Sequence, residues 1–245
     1  MPEQAGINMR NSYFQFKKFK IDQADCAMKV TTDASLFGAW VAQHASKSTS
    51  VIDIGGGTGL LSLMLAQKNE ATIDIVEIEK VCFHQMQKNI DVSAWSKRIH
   101  CINMDIRNFV TSNKYDIVIS NPPFHQQQLK SEDKAINLAR HGNELTLEVL
   151  FKQVSPLLSD KGIFYLLMPA YRDLETTSIA ENCNMMLNKK TIVKQSVFHD
   201  PFRIMYAFSM SNHGDAVVDE IIIKDNKDQY TEKFIDYLRD YYLYF

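Results

Sequence analysis

The stretch "VIDIGGGTGLLSLMLA" (51–66) changes its period half-way. It opens as an apolar strand-like run holding one carboxylate, Asp53, and closes as an apolar segment at helical spacing. Between the two halves Gly55, Gly57 and Gly59 follow the spacing G-x-G-x-G. Glycine at such a junction permits positive φ and lets a ligand approach the backbone closely. The helix that follows begins with free N–H groups. Position 60 is Leu where a G-x-G-x-x-G fingerprint requires Gly, which counts against a pyrophosphate-binding dinucleotide site.

Similar units lie outward from this one. "TSVIDI" (49–54), "ATIDIVEI" (71–78), "RIHCINM" (98–104), "YDIVIS" (115–120) and "GIFYLLMP" (162–169) read as strands, several too apolar to have a wet face. "LLSLMLAQK", "VCFHQMQKNI" and "TLEVLFKQVSPLL" between them carry apolar residues at helical spacing. Strand–helix alternation implies a doubly wound, mostly parallel sheet with helices on both faces. "KTIVKQSVFH" and "FRIMYAFSM" meet through "HDPF", with no room for a crossover helix. They predict an antiparallel terminal pair at one sheet edge, giving seven strands in all. That closure fits a class I methyltransferase better than a dehydrogenase. One domain over residues 46–245 is expected, with residues 1–45 as an N-terminal extension packed on it.

A chain of 245 residues with 45% hydrophobic content can bury a core without metals or cross-links. Its four cysteines show no CxxC pairing, so reduced thiols are expected, with neither a disulfide framework nor a zinc site. No apolar run reaches the roughly 18 residues of a membrane span, and the N-terminus lacks a signal-peptide core. The expectation is a cytoplasmic monomer without membrane contact. The net charge of −2 announces no nucleic acid globally, yet lysines cluster locally.

Three carboxylates sit at strand ends. Glu77 closes the second core strand, 22 residues after Gly55, where it can accept hydrogen bonds from ribose hydroxyls. Glu79 is its nearby rival. Asp105, after the third strand, can receive an adenine amino group, and Asp53 points toward the methionine end of a bound cofactor. Ligands of α/β sheets bind at these C-terminal strand ends. The set describes an adenosine-containing cofactor, and S-adenosylmethionine fits best.

The fourth strand ends in "SNPPFHQQQ" (120–128). Asn121 offers a side-chain carbonyl, and the Pro122 carbonyl a second acceptor, to the hydrogens of a planar amine. Pro122 and Pro123 fix φ and remove backbone donors. Phe124 can stack on the ring that bears the amine. Two acceptors free the nitrogen lone pair for attack on a methyl group, so catalysis is positioning and needs no metal or covalent nucleophile. A plain strand-terminating turn is the alternative reading.

These residues resemble the amino methyltransferases with an [DNS]-P-P-[FYW] motif. The match extends to "FQFKKFKIDQADCAMKVTTDASLFGAW" (14–40), "DIGGGTGLLSLMLAQ" (53–67), "DIVEIE" (74–79), "ISNPPFHQQ" (119–127) and "YTEKFIDYLRDYYLYF" (230–245). Together they look like the bacterial tRNA1(Val) adenine-37 N6-methyltransferase family. The resemblance implies a class I, Rossmann-like fold, S-adenosylmethionine as methyl donor, and the adenine beside the valine tRNA anticodon as acceptor. It gives Asn121, Pro122, Pro123 and Phe124 the catalytic role, and Gly55, Gly57, Gly59, Glu77 and Asp105 the cofactor role. "KVTTDA" (29–34) matches a segment over the methionine end, adding Thr32 and Asp33.

NPPF also serves ribosomal guanine-N2 methyltransferases, and NPPY serves release-factor glutamine methyltransferases. The former usually carry a duplicated front domain, and the 120 residues before Asn121 leave no room for one. A non-catalytic RNA-binding protein and a nicotinamide oxidoreductase are rivals from other classes. For RNA, "YFQFKKFK" (13–20) interleaves Tyr13, Phe14, Phe16 and Phe19 with Lys17, Lys18 and Lys20. Aromatics can stack on splayed bases while lysines meet phosphates, or they can simply pack the extension down. Lys130, Lys134, Arg140 and His141, after the NPPF turn, are further candidate contacts.

Overall fold

A computed structural model describes residues 12–45, 47–123, 145–211 and 214–245. A short hairpin, β1 (Tyr13–Gln15) and β2 (Lys20–Asp22), leads into helix α1 (Thr32–His44). Alternating elements follow: β3 (Ser50–Ile54), α2 (Leu60–Ala66), β4 (Thr72–Glu77), α3 (Lys80–Asp91), β5 (Ile99–Asn103) and β6 (Tyr115–Ser120). Beyond these come α4 (Leu147–Val154), β7 (Leu158–Pro169) and α5 (Asp173–Asn182). The chain closes with β8 (Met186–Ser196), β9 (Pro201–Ser209), β10 (Val217–Lys224) and α6 (Glu232–Leu238).

The large sheet has the order β10-β8-β9-β7-β6-β3-β4-β5. Strands β3 to β7, β8 and β10 all run the same way; β9 alone is reversed. The sheet therefore has eight strands, one more than expected, and the reversed strand lies inside it, between β7 and β8. The extra strand is "VVDEIIIK", which buries only Ile221 and Ile223. An edge strand with one thinly apolar face gives a weak sequence signal.

Because side chains alternate along each strand, the central strands feed a buried cluster on each face of the sheet. Val51, Ile73, Ile75, Ile117 and Ile119 pack with α1, α2 and the N-terminal hairpin in one cluster. Ile52, Ile54, Val76, Val118 and Phe164 pack with Leu150, Phe151 and Val154 of α4 in the other. Phe16, Phe19, Ile21 and Trp40 belong to the first cluster, so residues before β3 share the central core. Asn89 of α3 binds the hairpin directly: it accepts from the Asp22 N–H at 3.0 Å and donates to the Asp22 and Thr58 carbonyls.

The cysteine expectation needs correction. Cys26 and Cys82 form a disulfide across a sequence separation of 56, with Cα atoms 4.8 Å apart. Cys101 and Cys183 are free. Spacing along the chain could not show the pairing, because the hairpin's return over α3 is a tertiary contact.

The chain runs β3, β4, β5 toward one edge, then crosses back to place β6 on the other side of β3. The crevice between β3 and β6 is thus the point where strand order reverses, and such crevices bind ligands in open α/β sheets.

Candidate active site

Register fixes what meets at that crevice. Ile54 pairs with Val76 on one side and Ser120 on the other, and Glu77 pairs with Asn103. The glycine turn, Glu77 and Asn121 therefore leave the sheet at one level along its C-terminal edge, with Asp105 two residues beyond Asn103. The buried Ser120 hydroxyl donates to the Ile54 carbonyl at 2.8 Å, stitching the two flanking strands together just beneath the turn.

Gly55, Gly57 and Gly59 take φ of 77°, 57° and 83°. A Cβ at Gly55 would meet nothing within 4 Å, so that position faces open space. Gly56, which spacing did not single out, is needed for a different reason. A Cβ there would stand 2.0 Å from Ile75 Cγ2 and 2.8 Å from Met86 Sδ. The turn is pressed against β4 and α3 on one side and open on the other. It forms a cradle.

Glu77 is buried at the rim of this cradle. Its Oε2 accepts the Gly57 N–H at 2.9 Å and its Oε1 accepts the Glu79 N–H at 2.8 Å. Each carboxylate oxygen retains a second lone pair for a ligand hydroxyl. The rival Glu79 is exposed and caps α3 by accepting from Val81 N–H. Asp53 is fully buried; Ser62 donates to its Oδ2 at 2.8 Å, and its Oδ1 has no partner among the described residues. Burial pushes this carboxyl up to about 7, with the Ser62 hydroxyl opposing and the Glu77 carboxylate adding to the rise. Ser62 gave no sequence signal beyond one hydroxyl inside an apolar helix.

Asn121 carries the catalytic expectation. Its side-chain Oδ1 is buried and has no hydrogen-bond partner among the described residues. Pro122 behind it is buried, and Pro123 is exposed. Phe124, Lys130, Lys134, Arg140 and His141 lie outside the described residues.

Other candidates are committed to partners. Asp105 accepts the Arg107 N–H at 2.9 Å and pairs with its guanidinium, which holds the carboxyl below its usual range. Asp33 accepts Arg203 Nε at 2.7 Å. Because Arg203 faces Pro169 at the end of β7, that ion pair also lies on the C-terminal edge. Thr32, the first residue of α1, is exposed.

The hairpin aromatics do not form the stacking surface that the interleaved sequence allowed. Phe16 and Phe19 are buried and Phe14 is half-buried against Phe16 and Tyr242; Tyr13 is exposed. Lys17 donates through Nζ to the Arg239 carbonyl at 2.5 Å and the Phe245 carbonyl at 3.3 Å, so it ties the two ends of the chain together. Lys20 pairs with Asp22 at 2.9 Å, and Lys18 is exposed. Among the described residues there is no group of three His, Cys, Asp or Glu side chains able to hold a metal, and no helix long and apolar enough to cross a membrane.

The methyltransferase small domain model matches residues 29–169, which run from the segment before α1 to the end of β7. A tRNA1(Val) (adenine(37)-N6)-methyltransferase of Christiangramia forsetii is 37% identical over 241 residues, covering 96% of this chain and 99% of the relative. One of Flavobacterium johnsoniae is 34% identical, covering 94% and 99%. The chain belongs to the tRNA1(Val) (adenine(37)-N6)-methyltransferase family. The fold of this family member also superposes on solved methyltransferases. A predicted O-methyltransferase of Agrobacterium tumefaciens gives a TM-score of 0.65 at 15% identity, covering 85% of this chain and 96% of that one. The glycopeptide N-methyltransferase MtfA, solved with S-adenosylmethionine, gives 0.56 at 10% identity, covering 73% and 94%. These structural likenesses bear out the class I, Rossmann-like fold, and the family membership bears out methyl transfer as the activity class.

Proposed function

We propose that this enzyme methylates the exocyclic amine of adenine 37 in the anticodon loop of tRNA1(Val), with S-adenosylmethionine as donor. The observation that carries the chemistry is the buried Asn121 Oδ1, left without a partner among the described residues at the mouth of the crevice. A buried, unsatisfied acceptor in a native fold costs free energy, and it is retained where a ligand donor will meet it. An exocyclic amine is such a donor. The relatives' shared activity supplies the nucleobase and the tRNA.

The residues present fit the donor. The open cradle at Gly55 and Gly57 admits an adenosine-containing molecule, and Glu77 keeps lone pairs for ribose hydroxyls. Asp53, with one oxygen unpartnered, would face the cationic methionine end. Asp105, whose Oδ1 accepts the Arg107 N–H, would offer that oxygen's second lone pair to the adenine amine. When bound, S-adenosylmethionine supplies an electrophilic methyl on its sulfonium. Asn121 accepts from the target amine and holds the nitrogen lone pair toward that position, while the prolines keep competing backbone donors away.

The test is single-turnover methyl transfer to valine tRNA lacking the modification, followed by mass spectrometric mapping of the product nucleotide. Methyl on N6 of adenine 37 is expected. Methyl on a guanine N2 or on a protein glutamine would refute the assignment.

A further inference from the structure

The turn between β8 and β9 is four residues long and lies on the same C-terminal edge as Asn121, since β8 runs parallel to β6 and β7. Its tip exposes Phe198 at 78% and Val197 at 48%. With most of its surface in water, the Phe198 ring buries little apolar area among the described residues, so it is available to a ligand on this edge. The tip is also rigid. The buried Ser196 hydroxyl accepts from the Phe198 N–H at 3.2 Å and shares a 2.7 Å hydrogen bond with His199 Nδ1, while the His199 N–H donates to the Ser196 carbonyl.

Between this tip and Asn121 lies the turn after β7, where Tyr171 is 70% exposed. β9 stands two strands from β6, roughly 10 Å across the sheet. Ser120 is level with Tyr206 through Leu166, so the hairpin runs on roughly 16 Å past that level to Pro201 and its tip overhangs the Asn121 edge. Asn121, Tyr171 and Phe198 thus succeed one another along one rim.

We infer that Phe198, with Tyr171 beside it, forms a stacking subsite for unpaired bases of the RNA loop that flank the methylated adenine. This rests on the tRNA reading above. A base delivered to Asn121 brings its neighbours across the same edge, and single-stranded loops are held by aromatic side chains that stack on splayed bases. A single ring on a narrow tip suits a base face better than the broad apolar patch of a protein-docking surface.

The test uses the full chain, S-adenosylmethionine and an unmodified valine tRNA transcript. Phe198→Ala should weaken tRNA binding by roughly 5- to 150-fold, the range for losing one base–aromatic stack, with the loss appearing in KM for tRNA. Affinity for S-adenosylmethionine and Tm should stay at wild-type values, because the ring touches neither the cradle nor the core. Phe198→Trp should restore tRNA affinity, and Tyr171→Ala should weaken it independently. Wild-type tRNA affinity in Phe198→Ala overturns the inference. So does a loss that Trp fails to rescue. If wild-type enzyme itself leaves valine tRNA unmethylated, the parent reading has failed instead, and the two outcomes are told apart by that control.

Discussion

The backbone N–H of Gly57 donates to Glu77 Oε2 across 2.9 Å, joining the turn after β3 to the end of β4. One carboxylate thereby shapes the cradle and presents its remaining lone pairs to whatever occupies it. Glu77→Ala should weaken S-adenosylmethionine binding by about 1.5–3 kcal/mol, the range for hydrogen bonds to a charged group. It should also lower Tm, since two N–H donors lose their acceptor. Glu79→Ala, which removes only an exposed cap, is the control. Calorimetry on both variants checks the contrast.

Asn121→Ala should reduce single-turnover methyl transfer by something like 10²–10³-fold, by comparison with removing one preorganised polar partner at a reaction centre. Tm should hold or rise, because the substitution deletes a buried acceptor that has no partner among the described residues. Wild-type transfer in this variant would reduce the turn to a strand terminator.

Asp53 makes stability depend on pH. Its carboxyl is raised from 3.8 to about 7, so the folded state holds a proton that the unfolded state releases. The contribution is complete below the unfolded pKa and is lost as pH rises through about 7. Wild-type Tm should carry this downward trend between those limits, and Asp53→Asn should flatten it. Thermal melts across that interval, without ligand, measure the difference.

The disulfide ties the segment after β2 to α3, beside the glycine turn, with Cys26 Sγ 3.7 Å from the Gly57 carbonyl oxygen. Cys82→Ser should cost about 2–4 kcal/mol of stability, as expected when a long loop loses its cross-link. Reductant should produce a similar loss in wild type and none in the variant. Denaturant titrations with and without dithiothreitol decide it.

The lysines of the hairpin should separate. Lys18→Ala should reduce the slope of log affinity for tRNA against log salt by roughly 0.7–0.9, the value of one phosphate contact. Lys17→Ala should leave that slope unchanged and lower Tm, because its ammonium is bound to the Arg239 and Phe245 carbonyls.

The local period of the sequence determined the strand–helix alternation, and the glycine spacing determined where the cradle must open. Both are legible because apolar alternation and positive φ are properties of neighbouring residues. The same holds for Asn121 and Glu77, which end buried runs that can be recognised one at a time. What sequence left undecided was partnership. That Asp33 is paired with Arg203, that Lys17 serves the chain terminus and that Phe16 is core followed only from packing. Cys26 meets Cys82, and β9 inserts between β7 and β8, because segments far apart in the chain share one surface of the folded sheet. A side chain's type limits what it can bind; which competitor reaches it first is settled by tertiary contacts that no local pattern encodes.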